Sequence, residues 1–176
     1  SFYVEEAAPI DIRDRVSHGD LGRPYEECMS RKPARLQSKF WLVTCVECLE
    51  HVFPWRVPTA ITNLARTAEK WLFLTVPTNT QWDGNMEHLC IRENQWWHDK
   101  FAQFAPNLLR RLDYEDIFRR VCMPPGHSTW GWQFFVYEVR GELPDECVQA
   151  TVQEYYEGER LYKRGEAVYD GVETAR

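Results

Sequence analysis

Between residues 45 and 51 the chain reads Cys-Val-Glu-Cys-Leu-Glu-His, which sets two thiols, two carboxylates and an imidazole within one short stretch. Cys45, Cys48 and His51 spell C-x-x-C-x-x-H. A structural zinc site wants a fourth ligand and usually a second knuckle, and the chain has no second C-x-x-C. With Cys45 at a strand end and Cys48 a helical turn further on, the three side chains need not converge, so no metal is expected. Glu50 and His51 suit capping or pairing within a helix as well as a place in a site. His88 is a loop histidine; a neutral imidazole there accepts a proton from a hydroxyl or an amine, and it equally suits a bond to backbone. Glu5, Glu6 and Asp20 stand at turn signals, where a solvated acid is the plain rival to any binding role. Trp96 and Trp97 fit packing or a lid before a substrate platform. His127 and Trp130, beside Pro124-Pro125-Gly126, are further residues that could line a cleft.

The elements that must position these groups follow from the apolar pattern. Phe40 to Val46 is a continuous β-rich run, as in a strand buried on both faces of a parallel sheet. Pro58 to Lys70 carries Ile61, Leu64, Ala65 and Ala68 at helical spacing, with Pro58 near the first turn. Trp71 to Val76 reads as a second buried strand stopped by Pro77, residues 77–90 as a polar loop, and Arg92 to Phe104 as a helix. Phe118–Met123 is expected to be a strand, and Trp132–Val139 another, the two forming an antiparallel edge pair. Near the start, Phe2-Tyr3-Val4 suggests a strand end and Arg15–His18 a weaker strand. Residues 22–38 read mostly as loop. Alternating strands and helices point to an α/β sandwich.

The 176 residues make one domain's worth of sequence, and 44% hydrophobic with 14% aromatic content marks a folded chain. No apolar run approaches the ~20 residues that cross a bilayer, and Ser1-Phe2-Tyr3-Val4 shows neither an initiator Met nor a charged leader region. A cytoplasmic location without a membrane partner is the expectation, with Cys28, Cys45, Cys48, Cys90, Cys122 and Cys147 reduced. The net charge of −6 argues against nonspecific nucleic-acid binding, without excluding a nucleic acid reached through a local basic patch. Residues 141–176 carry nine acids against four bases. Pro144-Asp145 signals a helix start, Val148, Val152, Tyr155 and Tyr162 allow one amphipathic helix, and Gly158 and Gly165 weaken it. This segment is expected to be an acidic helix or arm outside the core, docking a protein partner.

The segment Phe40-Trp41-Leu42-Val43-Thr44-Cys45-Val46-Glu47-Cys48-Leu49-Glu50-His51-Val52 resembles the signature at the fourth strand of class I S-adenosylmethionine-dependent methyltransferases. Leu74-Thr75-Val76-Pro77, Glu87-His88-Leu89 and the Trp-Trp helix follow in the family's order. Val4-Glu5 looks like the acidic end of its second strand and Gly19-Asp20-Leu21 like the acidic turn after the third. The resemblance covers residues 2–140 and is most specific over 40–101. It implies a Rossmann-like methyltransferase sandwich, mostly parallel with an antiparallel edge pair, and methyl transfer from S-adenosylmethionine to an acceptor such as a small molecule or glycan. It also implies site roles: Glu5 for the ribose diol, Asp20 with Leu21 for the adenine, Cys45, Val46 and Glu47 for the methionine end, His51 beside them, and His88 on the substrate side. Such sites lie at the carboxyl ends of strands.

The sequence departs from the family in two places. No strand followed by G-x-G precedes Val4, so the first strand and its glycine-rich turn are expected from further chain upstream or from another chain. Trp41 stands where the signature usually has Asp. A second class of function therefore stands beside the enzyme: a degenerate methyltransferase-like domain serving as a structural or assembly component of a larger complex.

Overall fold

The computed structural model describes residues 20–29, 39–77, 88–122 and 132–166. The apolar run at Phe40–Val46 forms a strand (β1), and Ala68–Pro77 forms its parallel neighbour (β2), in register from Leu42 opposite Trp71 to Val46 opposite Thr75. Val57–Thr67 (α2) crosses between them, with Pro58 in its first turn, where the missing N–H costs nothing. The expected adjacency of the two strands with a helix between is therefore present; the helix ends at Thr67, and Ala68 to Lys70 belong to the strand. Tyr25–Met29 is a short helix (α1) inside the stretch read mostly as loop. Asn94–Phe104 (α3), Leu108–Arg110 (β3), Leu112–Cys122 (α4), Trp132–Val139 (β4) and Asp145–Lys163 (α5) complete the described elements.

The sheet is open and mixed, in the order β1-β2-β4-β3, with β4 antiparallel to both of its neighbours. Among the described residues one of three pairings is parallel. The architecture is α/β, with four strands and five α-helices among the described residues.

The antiparallel edge pair exists with a different member. Phe118–Met123 was expected as a strand, but Leu112–Cys122 is helical and β3 is the partner of β4. Two local features favour the helix. Asp113 and Glu115 occupy its first turn and Arg119 and Arg120 its last, each complementing the helix dipole. Tyr114 and Phe118, four residues apart, set their rings on Trp71 and Phe73 of β2.

On the opposite face of the sheet lies the main core. Leu72, Leu74, Val76, Phe135 and Tyr137 are buried there with Trp97, Phe101 and Phe104 of α3, and Phe101 stacks on Tyr137 at 4.9 Å between ring centroids. Residues Val57 through Ala65 of α2 are all buried, because the sheet covers one side and α5 the other. The α2–α5 contact is made by small hydroxyl residues. Thr59 Oγ1 donates to the Thr151 carbonyl at 3.2 Å, and the Thr62 and Thr151 hydroxyls lie 3.4 Å apart.

The helix expected in the acidic tail forms over Asp145–Lys163, but it does not stand off the domain. It buries Thr151, Tyr155 and Gly158 against α2 and the short 3-10 turn Pro54–Arg56. Arg56 clamps the contact through Glu159, with a 2.8 Å bond from Nε. Over these residues the segment is a helix packed on its own domain. What favours packing is the Thr151, Tyr155, Gly158 stripe, one face of the helix at i, i+4, i+7.

A buried acid organises the sheet edge. Glu138 of β4 takes Lys70 at 2.6 Å on one oxygen and Arg111 and Arg140, each at 2.8 Å, on the other. Lys70 first, with help from both arginines, holds its carboxyl below the ordinary glutamate value. The stability Glu138 contributes is then full above about pH 4.3 and drains as pH falls through the lower folded value. Urea unfolding of Glu138→Gln is expected to show a shallower acid-side loss of stability than wild type; parallel profiles would count against this ion network.

Candidate functional site at the end of the first strand

Strand β1 stops at Val46 with a sharp change of backbone direction. Glu47 takes φ 52°, the left-handed region that side chains other than glycine's adopt at a cost. Cys48 Sγ then donates to the Val46 carbonyl at 3.1 Å, and Leu49–His51 closes a single 3-10 turn. Leu49 anchors the turn in the core, fully buried, and it carries Glu50 inward with it.

The loop bearing His88 docks on this turn by backbone. The Glu50 carbonyl accepts both the Leu89 N–H at 2.7 Å and the Cys90 N–H at 2.9 Å, and Cys90 is buried beneath. His88 consequently meets His51 edge to face, ring centroids 5.0 Å apart. The Glu50 carboxylate lies 3.9 Å from His51 Nε2, and one donor atom from each of Glu50, His51 and His88 falls within 4.8 Å of the others.

The electrostatics of the cluster are unusual. Glu50 is 0% exposed, and neither carboxylate oxygen has a hydrogen-bond partner; the same is true of His88 Nδ1. Desolvation raises the Glu50 carboxyl above its ordinary value, and the nearby Glu47 charge pushes the same way. Beside it, the side-chain interaction with Cys45 brings the Cys48 thiol down to about 7, and the same interaction, with burial, holds the Cys45 thiol up. Cys45, Cys48, Cys90 and Cys147 are all free thiols.

Of the residues singled out in the sequence, Cys45, Val46, Glu47, His51 and His88 belong to this one region at the carboxyl end of β1. Val46 is 48% exposed there and Glu47 is open to solvent. Asp20 and Leu21 are held elsewhere in their contacts. Asn63 of α2 donates to the carbonyls of Leu21 at 2.8 Å and Arg23 at 2.6 Å, and the Asp20 carboxylate accepts from the Gly22 N–H, from Arg23 and from Arg56. Glu5, Glu6, His127 and Trp130 lie outside the described residues. Trp97 is a core residue with no exposure, and Trp96 packs on it at 4.9 Å, so the packing reading holds for Trp97. Glu50 was read as a capping or pairing residue; its burial and its closeness to His88 depend on a loop docking from far along the chain. The adjacency Glu50-His51 was the one sequence signal for it.

Among the described residues no helix is long and apolar enough to cross a membrane. Comparison with protein-family models, with curated proteins and with solved structures found no match to this chain.

Proposed function

We propose that the chain is a class I methyltransferase domain that positions S-adenosylmethionine and a methyl acceptor at the carboxyl end of β1. The observation that carries the reading is the meeting of signature and topology. The segment Phe40–Val52 forms a strand, a turn open to solvent at Val46 and Glu47, and a 3-10 turn. Its parallel partner is followed by two antiparallel strands at the sheet edge. That is the order implied by a fourth strand, a fifth strand and a late antiparallel pair, and in this reading the rest of a mostly parallel Rossmann-like sheet lies beyond β1.

The donor set suits such a cofactor. The solvent-open carboxylate of Glu47 complements a sulfonium charge, and exposed Val46 offers apolar contact beside it. S-adenosylmethionine, when bound, supplies an activated methyl group. Cys45, Val46 and Glu47 line its methionine end. Glu5 accepts hydrogen bonds from the ribose hydroxyls. Asp20 accepts from the adenine amine, with Leu21 beside it. His51 borders the reacting centre, and the acceptor's proton is taken up at the cluster to which His88 belongs. Positioning does most of the work in such a displacement.

A second reading, a domain that keeps the fold as an assembly component and has lost the chemistry, is favoured by one observation: Trp41 at 62% and Leu42 at 48% exposure leave an apolar strand uncovered. Calorimetric titration with S-adenosylmethionine separates the two. Binding that weakens by about tenfold or more in Glu5→Ala, the loss of a charge-assisted hydrogen bond worth about 1.5–3 kcal/mol, supports the enzyme. Absence of binding by the wild-type chain at millimolar cofactor supports the assembly component.

A further inference from the structure

Glu50 presents a physical problem that the fold alone does not solve. An ionised carboxylate removed from water without hydrogen bonds is strongly disfavoured, yet both Glu50 oxygens are buried and partnerless. His51 Nε2, at 3.9 Å, is beyond hydrogen-bond length. His88 Nδ1, also buried and partnerless, sits in the same group of donors. These groups were brought together by backbone, through the paired N–H bonds from Leu89 and Cys90 to the Glu50 carbonyl, so the arrangement is built in before any ligand arrives. What remains is one carboxylate and two imidazoles whose ligand atoms all lie within 4.8 Å of one another.

We propose that Glu50, His51 and His88 bind one divalent first-row transition cation. Two imidazoles with one carboxylate suit cobalt, manganese, iron or zinc, whereas magnesium and calcium favour oxygen-rich sets. Donors about 2.1 Å from a cation sit at most about 4.2 Å apart, so the observed limit of 4.8 Å closes with roughly a half-ångström movement of the imidazoles. Both histidines are half-buried, which leaves the cation's remaining positions to water or to an oxygen of a bound molecule. This ligand set differs from C-x-x-C-x-x-H: it shares His51 and uses no sulfur. Set beside the methyl-transfer reading, the cation would take the place of the cluster as a base: it would hold an acceptor oxygen and lower its pKa, the proton leaving to water; its binding is measured without methyl donor or acceptor and so stands or falls separately.

The test is Co2+ titration of the full chain without a histidine tag, stripped beforehand with chelator, followed by visible absorption and by calorimetry. One Co2+ per chain is expected, with a rise in thermal midpoint, and Mg2+ at the same concentration should give neither. His51→Ala and His88→Ala should each weaken binding by at least about tenfold, since even an outer-shell partner is worth about 10–100-fold, while His98→Ala on α3 leaves it intact. His88→Asn, which keeps a polar side chain of similar reach, guards against a variant that fails to fold and should weaken binding as well. The proposal is overturned by any of three results: no Co2+ binding up to millimolar concentration, binding undisturbed in both His88 variants, or a thiolate-to-cobalt charge-transfer band that disappears in Cys48→Ser.

Discussion

Replacing Glu115 by alanine is expected to remove about 3–5 kcal/mol of stability, the usual cost of stripping one partner from a buried ion pair. The Glu115 side chain is 1% exposed, and its carboxylate takes two parallel bonds from Arg110, 2.8 Å from Nε and 2.9 Å from Nη2. Its Oε1 also accepts the Val136 N–H at 3.2 Å. That third bond explains why the acid is there. Strand β3 ends at Arg110, so β4 runs past its neighbour, and the first N–H beyond the last rung would be buried and orphaned. Glu115, from the next helix, fills the place of the missing strand residue. Alanine would leave that amide bare and strand a guanidinium that lies over the Phe135 ring at 4.9 Å. A comparison on the same helix is Asp116→Ala, which breaks the exposed pair with Arg119 and should cost no more than about 1 kcal/mol. The two midpoints in urea, read with unchanged slopes, decide it; near-equal losses would show that the Arg110–Glu115 fork contributes no more than a surface pair.

How far the sequence already told this story depends on the range of the interaction. Strands β1 and β2 and helix α2 were legible because each announces itself within a dozen residues: an unbroken apolar run, a helical stripe, a proline in the first turn; the burial of β1 on both faces that its run suggested is not found, since Phe40, Trp41, Leu42 and Val46 are exposed. Strand β3 was not, since Leu108–Arg110 is too short to show a period and owes its conformation to β4. The misreading of α4 has a similar origin. Phe118 and Val121-Cys122 look β-rich in isolation, and the acids before them and arginines within the last turn weigh toward helix only when the window reaches back to Leu112. At the candidate site, Cys45 to His51 drew attention by spacing, and they do gather at a strand end. The burial of Glu50 was out of reach, because it follows from backbone bonds to Leu89 and Cys90 that no local pattern encodes.

Gly158→Ala is expected to destabilise the chain by about 2–3 kcal/mol, the upper part of the range for overpacking, although in an exposed helix the same change stabilises by about 1 kcal/mol. Read locally, a glycine inside α5 only weakens a helix. In the fold it faces the 3-10 turn Pro54–Arg56: a Cβ on residue 158 would lie 2.3 Å from Trp55 Cδ1, 2.5 Å from its Cγ and 2.8 Å from its Cβ. These are atoms at the root of a buried indole, and Trp55 is itself held by Phe53 at 4.4 Å and Tyr162 at 5.1 Å between ring centroids. The ring cannot swing aside without breaking that stack, so the helix must move. Moving it stretches the Arg56–Glu159 clamp and the Thr59–Thr151 bond together. Pairing the substitution with Trp55→Leu tests the cause. If steric conflict with the indole is responsible, Gly158→Ala should cost much less in the Trp55→Leu background than in wild type, by a coupling of about 1–2 kcal/mol. Equal costs in both backgrounds, or a net gain from Gly158→Ala alone, would mean that α5 lies on the domain too loosely to feel one methyl group, and the acidic segment would again be free to serve as an arm.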